Sequence, residues 1–181
     1  MTAALRVFAE KGYNESTTQE IANEAQVAEI TIFRKFKTKQ NLFVSTIQSI
    51  VADKFNKTLI DYAEKVDTKQ FLIDILNDRL LMISKNRRII RTLLSESLMG
   101  NLEATIDLPK MMIQAVKKSM EIHFAKKSIQ VDTERLTRFF SGLLVSYIIW
   151  EPPVPYHKLA EEEKLHLIEG YVELLSSCWE S

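Results

Sequence analysis

One cysteine, Cys178, is all that 181 residues contain, so an intrachain disulfide is excluded; without Cys-x-x-Cys or a Cys/His cluster, a structural zinc has no ligands. Four glycines and four prolines exclude a collagen-like repeat and a linker-rich scaffold, and no Gly-rich phosphate loop or Gly-x-Ser-x-Gly elbow can be assembled from them. Neither sign of charge is in excess, with 24 Lys plus Arg against 24 Asp plus Glu, which removes whole-molecule attraction to a polyanion but says nothing of local patches. No apolar run approaches the roughly 20 residues that cross a bilayer, and residues 1–8 lack a basic stretch leading into an apolar one. The expectation is a protein of the reducing cytoplasm with no membrane contact.

What is present is 46% hydrophobic and 27% charged residues, enough for one modest globular chain with a sizeable core. Apolar residues recur at spacings of three and four throughout, and no alternating run bounded by tight turns appears. The fold class expected is all-α with about nine helices. They fall at about 2–11, ending at Gly12; 17 or 18–25; 28–35; 38–62, capped by Thr38; 69–85; 87–99, closed by Gly100 and Asn101; 107–126, opened by Asp107 and Pro109; 133–150, capped by Asp132; and 160–179. Pro152, Pro153 and Pro155 break the chain before the last one.

The segment 18–36, TQEIANEAQVAEITIFRKF, has the pattern of a helix-turn-helix. Ala22 is small where a second helix crosses the first, and Ile21, Val27 and Ile32 supply a small core holding the two at a steep angle. The exposed start of the second helix, Ala28 to Thr31, is then shaped to enter a major groove. With FAEKGY before it and TIFRKFKTKQNLF at its end, the stretch from Ala4 to Phe43 resembles the N-terminal signature of the TetR family of transcriptional regulators. Phe8, Gly12, Thr17, Thr18, Ile21, Ala22, Ala25, Val27, Thr31, Phe36, Lys39 and Leu42 are in register.

The resemblance implies a helix-turn-helix DNA-binding domain at 1–43, joined to a helical effector-binding and dimerisation domain at 44–181. It also implies a ligand-responsive regulator, most simply a repressor released from a near-palindromic operator by a small molecule. The DNA-binding residues it implies are Thr18, Gln19, Ala28, Glu29, Ile30, Thr31, Phe33, Arg34, Lys35 and Lys39. Thr18 stands at a helix start suited to phosphate, Thr31 resembles a groove-facing threonine, Arg34 and Lys35 flank the backbone, and Lys39 resembles a phosphate contact. The chain departs from the family pattern at four places. Gln26 stands where a turn glycine is usual, Ala28-Glu29-Ile30 replaces Ser-Lys-Gly, Phe33 replaces a tyrosine, and a basic extension before the first helix is missing.

Beyond the motif the pattern is less specific. Met82, Met99, Met112 and Met120, with Val116, Tyr147 and Trp150, are candidates to line an adaptable pocket for an apolar or aromatic effector. The last two helices carry wide apolar faces, from which Leu136, Phe140, Leu143, Leu144, Tyr147, Ile168, Val172 and Leu175 are candidates for a homodimer interface. Catalysis and a cofactor are not expected. Glu163 and His166 form one Glu-x-x-His pair, but a di-iron bundle needs two such pairs. The alternative reading, motivated by Gln26 and Glu29, is a helical small-molecule-binding protein whose helix-turn-helix no longer reads DNA.

Overall fold

The computed structural model describes residues 2–50, 62–63, 67–100, 108–150 and 152–176. All regular structure among them is helical: α1 (Thr2–Glu15), α2 (Thr18–Glu24), α3 (Glu29–Phe36), α4 (Lys39–Ile50), α5 (Thr68–Leu98), α6 (Leu108–Lys127), α7 (Thr133–Ile149), a 3-10 turn (Tyr156–Lys158) and α8 (Glu161–Ser176). The all-α expectation is met. Most of 51–62 in the expected 38–62 helix, the cap at Asp107, and Cys178 and Trp179 lie outside the described residues, as do the side chains of Leu93, Leu108 and Met111.

Two expected helices, 69–85 and 87–99, are the two segments of α5, which meet at Asn86, whose φ −121°, ψ 18° is non-helical, so the break falls where the sequence places it. The Asn86 side-chain amide donates to the Met82 carbonyl at 2.8 Å, a local bond that competes with regular helix geometry. Two compact units share α5: the first comprises Met1–Phe55 and Arg88–Pro109, the second Asn56–Arg87 and Lys110–Ser181.

The first unit is built on a core of Ala4, Val7, Phe8, Ile21, Ala22, Ile32, Leu42 and Phe43, with Tyr13 and Phe36 packed against it. Phe8 and Phe43 meet edge to face with ring centres 4.8 Å apart, and Tyr13 sits 4.8 Å from Phe43 on its other side. α1 is interrupted at Gly12 (φ 80°, ψ 174°), a conformation essentially reserved for glycine, so the sequence expectation that Gly12 ends the regular helix describes a real break. The buried Ser16 hydroxyl donates to the Val7 carbonyl at 3.3 Å just beyond it. Arg88 donates to the Glu10 carbonyl at 2.6 Å, which ties the last part of α5 to α1.

The second unit buries Phe71, Leu72, Ile75, Leu76, Leu80 and Ile83 from α5. Also buried in this unit are Val116, Met120 and Phe124 from α6, Leu136, Phe140, Leu144 and Ile148 from α7, and Ile168 and Val172 from α8. Each buried aliphatic or aromatic side chain contributes about 1.5–3 kcal/mol by leaving water, so this burial is what holds the unit together. Arg87 closes the end of α7, donating to the carbonyls of Tyr147 at 3.1 Å and Ile149 at 2.8 Å, which satisfies acceptors the helix leaves open. After the prolines, Tyr156 is fully buried and donates its hydroxyl to Asn77 at 2.8 Å. His157 pairs with the Ser84 hydroxyl at 2.8 Å.

Candidate nucleic-acid interface

α2 begins with a reciprocal cap. The Thr17 hydroxyl accepts from the Glu20 amide and the Glu20 carboxylate accepts from the Thr17 amide, both at 3.1 Å, so Thr17 is the cap and Thr18 the first helical residue. Ala22 is completely buried, as the crossing of two helices requires, with Ile21 and Ile32 beside it. Between the helices the Val27 amide donates to the Ala22 carbonyl at 3.0 Å and the Gln26 amide to Asn23 at 3.1 Å. Gln26 takes φ 55°, the left-handed conformation that a turn glycine would occupy without strain. Val27 differs from expectation: it lies in the turn before α3, is 42% exposed, and is not part of the buried cluster that Ile21 and Ile32 join.

α3 presents Ile30, Thr31, Phe33, Arg34 and Lys35 to solvent, while Ile32 alone of its residues is buried. Ala28, its cap position, is exposed and extended, and its carbonyl accepts from the Thr31 amide at 2.9 Å. The Lys35 ammonium lies 5.3 Å from the Phe36 ring centre. Gln19 is exposed on α2 and donates to Asn23 at 3.1 Å.

Acidic side chains around this face are engaged by specific partners. Arg6 pairs with Glu24 and Lys11 with Glu20, so α1 neutralises the two acids of α2. The Thr18 hydroxyl donates to Glu29 at 2.6 Å across the turn. Lys39 is engaged differently from a solvated charge: its ammonium donates to the carbonyls of Tyr13 at 2.9 Å, Asn14 at 3.3 Å and Ser16 at 3.0 Å. Neither the Thr18–Glu29 pair nor the Lys39 bonds have a sequence signal, since they join residues 11 and more than 20 apart through tertiary geometry.

A helix-turn-helix with a small buried crossing residue and an exposed second helix is a shape that DNA-binding domains share. Residues 1–46 match the sequence profile described as bacterial regulatory proteins of the TetR family. The chain is 52% identical over 42 residues to an uncharacterized HTH-type transcriptional regulator, YvkB, of Bacillus subtilis, a stretch of 23% of this chain and 22% of that protein. A fatty acid metabolism regulator protein of B. subtilis is 28% identical over 101 residues, 56% of this chain and 52% of that protein. The chain therefore spans at most about half the length of these curated relatives. In fold it is similar to the crystal structure of the transcriptional regulator FadR from B. subtilis in complex with stearoyl-CoA, with a TM-score of 0.68 and 17% identity over 97% of this chain and 95% of that one.

The remaining candidate residues lie beyond the matched residues 1–46. Met99, in the first unit, is exposed; in the second, Met112 and Met82 are half-buried and Val116 and Met120 buried. The Met120 sulfur accepts from the Thr137 hydroxyl at 3.5 Å. Tyr147 shares a hydrogen bond with the Tyr171 hydroxyl at 3.0 Å, and burial, with that bond second, raises its phenol above the ordinary range. Trp150 is 74% exposed beyond the end of α7.

Of the candidate dimer residues, Leu136, Phe140, Leu144, Ile168 and Val172 are buried within the single chain, and Leu143, Tyr147 and Leu175 are half-buried. The large apolar groups left on the same helices are Phe139, Val145, Ile149, Leu165 and Leu174. A groove of about 410 Å³ between α7 and α8 is lined by Leu136, Phe139, Leu174 and Leu175 with Val131, Asp132 and Arg135. Glu163 caps the start of α8 by accepting from the Ala160 amide at 2.8 Å, and His166 is exposed. Among the described residues no group of three or more His, Cys, Asp or Glu is placed to hold a metal, and no helix is long and apolar enough to cross a membrane.

Proposed function

We propose that the chain is a ligand-responsive transcriptional regulator that binds a near-palindromic operator as a homodimer, acting as a repressor released by a small molecule. The observation that carries this reading is α3: one side is anchored by Ile32, and the other carries Thr31, Arg34 and Lys35 outward on a helix of groove-sized diameter. Thr31, Ala28 and Ile30 face the base edges. Arg34 and Lys35 meet the phosphates, with Gln19 and Phe33 at the margins. Two such heads on a dyad require half-sites about one helical turn, roughly 34–36 Å, apart or a multiple of it.

The division of labour follows the chain, with residues 1–43 reading DNA and 44–181 binding effector and partner subunit. Two likenesses support an effector with a long apolar part, one to a fatty acid metabolism regulator and one to a FadR crystallised with stearoyl-CoA. The half-buried Met82 and Met112, with Val116 and Met120, suit such a chain because thioethers adapt their shape to it.

The test is an electrophoretic shift with duplex DNA from upstream of the protein's own gene, with and without stearoyl-CoA. Sequence-specific retention that Arg34→Ala with Lys35→Ala abolishes, and that stearoyl-CoA relieves, supports the reading. Tight acyl-CoA binding with no retained duplex would instead favour a ligand-binding protein that no longer reads DNA.

A further inference from the structure

The first turn of α3 carries a carboxylate, Glu29, at the start of the helix that faces DNA in the proposed function. A negative charge there opposes the phosphate backbone, yet its position is fixed rather than left to solvent. The Thr18 hydroxyl donates to one Glu29 oxygen at 2.6 Å, and the Glu29 side chain is half-buried at the α2–α3 junction. A hydroxyl has one proton to give. While it donates to Glu29, Thr18 cannot donate to phosphate, so its hydroxyl serves to hold the carboxylate.

A carboxylate only accepts hydrogen bonds. In the major groove guanine offers acceptors at O6 and N7, and thymine offers an acceptor beside a methyl, so neither satisfies it. Adenine donates through its N6 amino group but places the N7 acceptor next to it, where it repels a second carboxylate oxygen. Cytosine donates through its N4 amino group and has no adjacent acceptor. Resting on the DNA reading proposed above, we infer that Glu29 selects cytosine at one position of each half-site, with Thr18 as the residue that positions it. The two acids of α2 are held by cations, Glu20 by Lys11 and Glu24 by Arg6, whereas Glu29 is held by a neutral hydroxyl and keeps its charge uncompensated by those pairs.

The experiment is selection of sites by the full-length protein from a randomised duplex library, followed by competition binding with duplexes changed at one position. The wild type is expected to prefer C·G by about 10-fold at one symmetric position per half-site. Glu29→Gln should move that preference to A·T, because an amide pairs with adenine N6 and N7. Thr18→Val should flatten it at that position alone, and Thr18→Ser should restore it; thermal melts matched to wild type show that each variant is folded. If cytosine preference survives both Glu29→Gln and Thr18→Val, or no cytosine position is selected in an otherwise specific site, the inference is overturned and the DNA reading stands. If the wild type enriches no sequence, the DNA reading itself fails and the inference falls with it.

Discussion

Lys39 holds its ammonium 4.5 Å from the centre of the Tyr13 ring while donating to the Tyr13 carbonyl at 2.9 Å. With Asn14 and Ser16 as further acceptors, all three ammonium protons are matched by carbonyls at the end of α1. The side chain thus fastens the start of α4 to the irregular turn after Gly12. Lys39→Ala is expected to lower the unfolding free energy of the first unit by about 1.5–3 kcal/mol, the range for hydrogen bonds to charged groups. The slope of log affinity for DNA against log salt should change by much less than one. Urea unfolding and a salt titration of duplex binding check the two together; a slope lower by about one at unchanged stability would place Lys39 on a phosphate instead.

Gly12 offers a cleaner test of backbone strain. A Cβ at this position would meet only the Thr92 methyl, at 3.9 Å, so substitution creates no clash. What it cannot relieve is φ 80°, ψ 174°. Gly12→Ala is expected to cost about 1–3 kcal/mol in thermal unfolding, against near-neutral behaviour if the turn could simply relax.

Gln26 presents the reverse case, a residue with a side chain already at φ 55°. Gln26→Gly removes about 1–2 kcal/mol of steric strain and adds back part of it as unfolded-chain entropy. The expected outcome is a gain of up to about 1 kcal/mol in unfolding free energy. A loss of stability on Gln26→Gly would show that the Gln26 side chain itself supports the turn.

These positions show how far the sequence was legible. The helix-turn-helix was readable because its requirements are local: a small residue at Ala22, apolar ones at Ile21 and Ile32, a capping Thr17 and a break at Gly12 all lie within one short stretch. In the second unit the helical period was readable, and the break expected between 85 and 87 is the kink at Asn86. Periodicity does not tell which part of a wide apolar face is covered within the chain. Phe139 and Phe140 are neighbours in sequence, yet Phe140 is fully buried and Phe139 is 60% exposed.

That distinction sets the expectation for assembly. Phe139, Leu165 and Leu174 leave apolar surface on α7 and α8 that a second copy would cover, while Phe140 and Val172 are already part of the subunit core. Wild type should sediment at about 42 kDa, twice the subunit mass of 20.9 kDa. Phe139→Glu with Leu165→Glu should give a folded species of the subunit mass. Phe140→Glu should unfold the second unit, because it places a charge in the core. A folded wild-type monomer that binds operator as tightly as any dimer would end the expectation.

His123 gives the second unit a specific dependence on pH. Its ring is buried and stacks on Phe71 with centres 4.0 Å apart; one nitrogen faces the Ala63 carbonyl at 3.2 Å and the other the Thr68 hydroxyl at 3.0 Å. That pattern suits a neutral imidazole, with one nitrogen donating to the carbonyl and the other accepting from the hydroxyl. Burial lowers its pKa from the ordinary 6.5, with Lys127 and Lys126 acting in the same direction and the Ala63 carbonyl and Asp67 opposing. Below about 6.5 the unfolded chain protonates this histidine before the folded one does, so folding there must expel a proton and stability rises with pH. The contribution is complete above that value and shrinks as pH falls toward the folded pKa. Urea midpoints at pH 7.5 and 5.5 should therefore differ more for wild type than for His123→Gln, whose amide keeps a donor and an acceptor but does not titrate. Carboxylates ionise mainly near pH 4 and affect both proteins alike, so equal pH dependence in the two would remove His123 as its source.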